Sequence, residues 1–171
     1  MNLRSILLSG AGLTMIAGLT FAQGNSSQQP AKAIAPAFSI LIKADHDTVK
    51  IGSPVGLTVV KKNESSHEIN NSKALSVEPP YQIAVTDSLG SPRPESAELL
   101  KSREASRPLG QNWFSMIFGS LKSGGTDTDK MDVSRYRDLS QPGKYTIRVS
   151  QFDAESNTTI QSNAVTVTVT P

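Results

Sequence analysis

The run Asp138-Leu-Ser-Gln-Pro-Gly-Lys-Tyr-Thr-Ile-Arg-Val-Ser150 constrains the fold of this chain more than any other part of it. A Pro-Gly turn delivers Gly143. Tyr145, Ile147 and Val149 then alternate with Lys144, Thr146, Arg148 and Ser150. Successive side chains of a strand point to opposite faces, so the first three are expected in a core and the others towards solvent. A tyrosine opening such a strand, with its hydroxyl on an upstream backbone group, is a corner between two packed sheets. Gly143 and Tyr145 are therefore read as a structural corner and not as a site.

Other segments carry the same period. Phe38–Ala44 is apolar and β-branched, and Thr48–Ile51 is a short second piece. After the Gly52-Ser53-Pro54 turn, Val55–Lys62 places Val55, Leu57 and Val59 on one face. Tyr81–Asp87 alternates again, and Val165, Val167 and Val169 alternate with threonines. Asn63–Ser76 reads as a polar loop, and Asp153–Asn163 as the polar hairpin loop before the last strand. Short alternating strands with turn signals between them predict an all-β antiparallel sandwich of seven to eight strands.

Composition sets the boundaries. Met1–Ala22 has a basic start at Arg4, an apolar middle and a small residue at Ala22, the pattern of a cleaved secretory signal. An uncleaved anchor is the other reading, but Ser9, Gly10, Gly12 and Thr14 interrupt the run and it is short for a span. Gln23–Ala37, rich in Gln, Ser, Ala and Pro, reads as a flexible linker. Phe38–Pro171 is then the domain, large enough to bury roughly two thirds of its unfolded surface.

The chain has no cysteine. Disulfides, thiolate metal sites, a cysteine nucleophile and a lipoprotein anchor are thereby excluded. The net charge of +2 is spread along the chain, without the basic stripe of a nucleic-acid binder. An export signal places the mature protein in the periplasm or outside the cell, without a membrane span. The lack of cysteine in an exported chain leans towards a bacterial source.

Ser91–Asp129 departs from the strand pattern. Pro92, Pro94 and Pro108 break it, and Glu95–Arg107 is charged enough to suggest one helical turn at most. Asn112–Leu121 is the most aromatic segment. At period 2, Phe114, Met116 and Phe118 share one face, and Trp113, Ile117 and Leu121 share the other. Such a strand is covered on both sides or keeps one sticky face; a short buried helix fits the periodicity too. One face is expected to fill the core and the other to meet a partner, which makes Trp113, Phe114, Met116 and Phe118 the interaction candidates. Lys122-Ser-Gly-Gly125 is a turn, and Met131–Tyr136 is expected as the next strand.

The residues from Leu121-Lys-Ser-Gly-Gly-Thr through Asp132-Val-Ser-Arg-Tyr-Arg-Asp-Leu-Ser-Gln-Pro-Gly-Lys-Tyr-Thr-Ile resemble bacterial secreted immunoglobulin-like modules. They are similar to the accessory module carried ahead of the catalytic domain in deuterolysin-type metalloendopeptidases. A looser likeness is to the sandwich of BsuPI-type proteinase inhibitors. The likeness covers Phe38–Pro171 in outline and is sharpest over Lys122–Ser150. Ile147 stands where an antibody domain has its second cysteine, and no tryptophan lies near Tyr81–Asp87. The resemblance thus implies the general sandwich and transfers no activity.

Candidate chemistry is sparse. His67-Glu-Ile-Asn-Asn71 opens like a zinc-protease helix, but Asn71 stands where the second histidine must be. His46 lies between Asp45 and Asp47, a polar turn. Asp127, Asp129 and Asp132 could attract calcium, yet the EF-hand spacing is missing and a charged turn is the expected reading. No Gly-x-Ser-x-Gly elbow is present, and two histidines give a catalytic triad little to build on. Asn63-Glu-Ser65 and Asn157-Thr-Thr159 match the glycosylation acceptor pattern, which is short enough to arise by chance. No cofactor and no catalytic centre are expected.

The expected function is a non-enzymatic exported module that contacts a protein or an envelope component. Two alternatives stand beside it. One is an inhibitor presenting residues 91–110, with Lys101, Arg103 and Arg107, to a protease; the other is a structural protein of the cell envelope.

Overall fold

The computed structural model describes residues 34–106 and 115–171. Two packed sheets hold the core. The first consists of β1 (Phe38–Ala44), β3 (Gly56–Asn63) and β9 (Thr126–Asp132), in the order β1-β3-β9. In the second, β10 (Gly143–Asp153) is central. It pairs with β12 (Val165–Thr170) through Gly143–Ile147, with β6 (Gln82–Thr86) through Thr146–Ser150, and with β11 (Thr158–Gln161) through Ser150–Asp153. Thr146 and Ile147 pair with both β6 and β12, so those two strands flank β10 on opposite edges.

The alternation read from the sequence places the core. Tyr145, Ile147 and Val149 are buried, and so are Leu57 and Val59 opposite them. With eight strands in two sheets the domain is an all-β sandwich. One pairing departs from the antiparallel expectation: β2 (Thr48–Lys50) runs parallel to β12. Ala37 is buried too, and its N–H donates to the Asp153 carboxylate at 2.8 Å. The packed body thus takes in the last residue of the expected linker.

Five local expectations are corrected. Glu95–Arg107 holds more than a turn: α1 (Ala97–Ser106) is a ten-residue helix. Ser96 caps it by accepting the Leu99 N–H at 3.1 Å, and Glu98 sits in the first turn where the helix dipole favours a carboxylate. Met131–Tyr136 is not a strand. β9 ends at Asp132, whose carboxylate accepts the Ser134 N–H and hydroxyl and starts a 3-10 turn over Val133–Arg135. The polar hairpin loop expected over Asp153–Asn163 is a hairpin, but Thr158–Gln161 within it is a strand, β11, that pairs back on β10. The one expected at Asn63–Ser76 contains β4 (Ile69–Asn70) and β5 (Lys73–Leu75). Within the described part of Asn112–Leu121, two short strands, β7 (Ser115–Ile117) and β8 (Ser120–Leu121), replace one continuous strand.

Those four short strands form a ribbon. Ile69 pairs with Leu121, Asn70 with Ser120, Lys73 with Ile117, Ala74 with Met116 and Leu75 with Ser115. The offset is the same throughout, and the Asn71 N–H to Gly119 carbonyl bond at 2.9 Å joins the two halves. At its root, Ile69 and Leu121 belong to the core. Gly124, with φ of 71°, makes the turn from β8 into β9 in a backbone conformation that favours glycine.

Candidate functional site

The outer half of the ribbon combines two features, an ionic underside and an apolar strip. The underside begins on β9. Asp127 lies opposite Lys61, Asp129 opposite Val59 and Met131 opposite Leu57. Directly opposed residues share a face, so both aspartates sit on the face of the sheet that carries the core. The Lys73 ammonium from β5 reaches both carboxylates at 2.6 Å. The Asn71 amide donates to Asp127 and the Tyr81 hydroxyl to Asp129, each at 2.8 Å.

Burial and hydrogen bonding compete in this cluster. Burial alone would lower the Lys73 pKa, but its two carboxylates hold it above the ordinary lysine value. Burial would raise Asp127, but Lys73 and Asn71 hold it below the usual carboxylate range. Burial and the Asp129 hydrogen bond together push the Tyr81 phenol far above its usual value. At neutral pH the cluster therefore holds the Lys73 ammonium against an ionised Asp127, with Asp129 within the same reach. Lys61, 4% exposed, lies beside it with its amine 4.2 Å from the centre of the Phe38 ring. Burial lowers its pKa, and Asp127 and Asp153 only partly offset that.

The strip lies on β7 and just beyond it. Met116 is 46% exposed, Ile117 54% and Phe118 83%. Ile117, paired with Lys73, shares its face of the ribbon; Met116 and Phe118 take the other. Three consecutive apolar residues are thus exposed on both faces. Of the other interaction candidates, Trp113 and Phe114 lie outside the described residues.

The remaining sequence candidates scatter. Lys101 is exposed on α1. Arg103 is committed, since its guanidinium forks to Glu78 at 2.6 and 2.9 Å and to Glu95 at 2.8 and 3.0 Å. These two residues sit in a helix and not in the extended backbone that a protease cleft accepts, and Arg107 lies outside the described residues. His67 pairs with Glu155 at 3.0 Å. Asp45 accepts the Thr58 hydroxyl, and Asp132 accepts the Val55 N–H. No group of three or more metal-ligating side chains gathers among the described residues.

Tyr145 stands where the corner reading expects it. Its hydroxyl donates to the Gln141 carbonyl at 2.7 Å, and the Arg93 guanidinium lies 5.7 Å from the ring centre. Gly143 has ordinary room for a side chain, the nearest atom to an added Cβ being the Tyr145 hydroxyl at 3.7 Å.

Sequence reasoning missed the ionic cluster. Its members come from four strand regions, with Lys73 and Asp129 lying 56 residues apart. The one available signal was the Asp127, Asp129, Met131 alternation, which repeats the in-out pattern of a strand with carboxylates in the inward places.

By architecture this is a two-sheet β-sandwich with a latched ribbon. No protein-family model matches the chain, and no curated protein matches it. Solved structures that are similar share little sequence. The CARDB domain of a Pyrococcus furiosus protein is 14% identical with a TM-score of 0.39, over 78% of this chain and 94% of that one. A β-glucosidase from Listeria innocua in complex with isofagomine is 13% identical with a TM-score of 0.42, over 78% of this chain and 16% of that one. An alkylpurine DNA glycosylase from Pseudomonas fluorescens is 9% identical with a TM-score of 0.42, over 80% of this chain and 31% of that one. The finer likeness to deuterolysin-type accessory modules or BsuPI-type inhibitors finds no match among them.

Proposed function

We propose that the protein is an exported, non-catalytic binding module that presents the β5/β7 ribbon to another protein outside the cytoplasm. The observation that carries this reading is the run Met116-Ile117-Phe118. Aromatic, methionine and aliphatic side chains lie exposed together on a ribbon that ion pairs fasten to the sandwich. Exposed apolar side chains standing singly need no explanation, but a contiguous group of this kind marks a contact surface. Export rests on the signal pattern of Met1–Ala22, and an accessory role of this kind agrees with the resemblance to secreted immunoglobulin-like modules.

A photo-crosslinking residue at position 118, in cells that make the protein, tests the reading. The expected result is one discrete adduct with a second protein, absent when the same residue is placed at exposed Lys144. Equal crosslinking from both positions, or none from 118, would defeat it. Amino-terminal sequencing of the exported protein should begin after Ala22; a chain retaining Met1 would remove the export part of the proposal.

The inhibitor alternative gains nothing from α1, where Lys101 and Arg103 are helical and Arg103 is held by Glu78 and Glu95. Incubation with trypsin decides it. Undiminished trypsin activity is the expected outcome, and inhibition with the chain intact would revive the alternative.

A further inference from the structure

We propose that β7 is an open sheet edge that pairs with an extended, uncharged, apolar-alternating segment of the partner, adding it to the ribbon as a third strand. The inference rests on the binding reading above and names the form the partner takes.

Three other edges of this fold, those of β1, β6 and β9, are defended. On the free side of β1, the Asn163 side-chain amide accepts the Ile42 N–H at 2.8 Å and donates to the Ile42 carbonyl at 3.0 Å, filling the place of a neighbouring strand. On the free side of β6, Arg137 donates twice to the Ile83 carbonyl and the Arg93 N–H bonds the Val85 carbonyl. β9 carries Asp127, Asp129, Lys130 and Asp132. Side-chain plugs and charges are the usual means of stopping a strand from pairing with a foreign one. β7 has the opposite composition: Ser115 to Leu121 contains no charged residue and no proline. Among the described residues β7 pairs with β5 alone.

The two-sided exposure selects the mode of contact. A partner that docks as a flat surface covers one face of a ribbon, either Met116 with Phe118 or Ile117. An added strand lies beside β7 in the plane of the sheet, and its own side chains alternate between the faces, next to all three. Backbone hydrogen bonds would then supply affinity and the alternating side chains would supply choice.

Area argues the same way. At exposures of 46%, 54% and 83% the three residues offer on the order of 300–400 Å². A stable dimer needs about 800 Å² from each partner. The strip is thus too small for a second copy docking through it and is suited to one short strand. A charge in the middle of that strand would be desolvated against Met116 and Phe118 without a partner, so an uncharged segment is favoured.

The probe is a synthetic blocked heptapeptide, Thr-Val-Thr-Val-Thr-Val-Thr, titrated into isotope-labelled full-length protein and followed by NMR. The expected result is saturable shifts centred on Met116–Phe118 with slowed amide exchange in β7. The same peptide methylated at alternate backbone nitrogens should give none. Met116→Lys should weaken the peptide about tenfold or more, and Phe118→Ser, which leaves the edge uncharged, by less.

Four outcomes would overturn the proposal: no response at millimolar peptide, an equal response to the methylated peptide, shifts produced instead by phosphatidylcholine–phosphatidylglycerol vesicles, or line broadening that tracks protein concentration without peptide. A crosslink from position 118 with no peptide response would sink strand pairing and leave the binding reading standing. Loss of the crosslink would remove the binding reading itself.

Discussion

Tyr145 and Lys73 each fasten a strand to the rest of this fold, and they do so by different means. Tyr145 is 2% exposed among Ile147, Val149 and Val167, and one hydrogen bond to Gln141 completes its burial. Lys73 holds the ribbon through two half-buried carboxylates, while the apolar side chains of the strand paired with it face water. Apolar burial is non-directional and scales with area. An ion latch is directional, depends on charge state, and nearly breaks even against its desolvation cost. The difference separates a region that sets stability from one free to meet a partner.

The contrast can be broken at several points, beginning with the core. Ile147→Ala removes a fully buried side chain and should cost about 2–5 kcal/mol in equilibrium urea unfolding. A loss below about 1 kcal/mol would mean that the β10 face is not the centre of the core.

Asp129→Ala comes next. It takes one carboxylate from Lys73 and the acceptor from the Tyr81 hydroxyl. The side chains of Lys73 and Asp129 retain 29% and 20% of their exposure, so the cost should lie below that of breaking a fully buried pair, at about 1–3 kcal/mol. Amide exchange should quicken in β5 and β7 before it does in β10. Uniform quickening through both sheets would show that the ribbon is not a separate unit.

Tyr145→Phe deletes only the hydroxyl bond and should cost about 1 kcal/mol. An unchanged urea midpoint would remove the corner role.

The pH response of the latch follows from the direction of the Asp127 shift. Its folded pKa is depressed, so its contribution is fully present above the ordinary carboxylate value and is lost as pH falls through the folded value. Amide protection in the ribbon should hold from pH 8 to 5 and decline below about pH 4. Asp127→Asn should flatten that decline. Loss of protection already at pH 6 would contradict the Asp127 account.

The sequence was most legible where one face of a strand is apolar and the other wet. β1 is legible to the residue, and so is the inward set of β10 at Tyr145, Ile147 and Val149. The helix was not legible because only Leu99 of α1 is buried. What holds α1 is a cap at Ser96 and the Arg103 fork, which reaches Glu78 across 25 residues. Neither leaves a periodic trace. The ribbon failed for the same reason. Asn71 and Lys73 look like loop residues until Asp127 and Asp129, each 56 positions from its partner, are brought beneath them. Those aspartates look like a solvated turn until the pairing with β3 turns them inward. Of the aromatic segment, sequence identified the composition and the two faces of Met116, Ile117 and Phe118, but not the break between β7 and β8.

The separation between stability and contact is tested most directly by one protein measured twice. Met116→Ser with Phe118→Ser should leave the urea unfolding free energy within about 0.5 kcal/mol of the parent, because both side chains already face water. The same protein should no longer co-purify with the partner that the crosslink identifies. A destabilisation of about 2 kcal/mol or more, or partner capture at the parental level, would contradict the account.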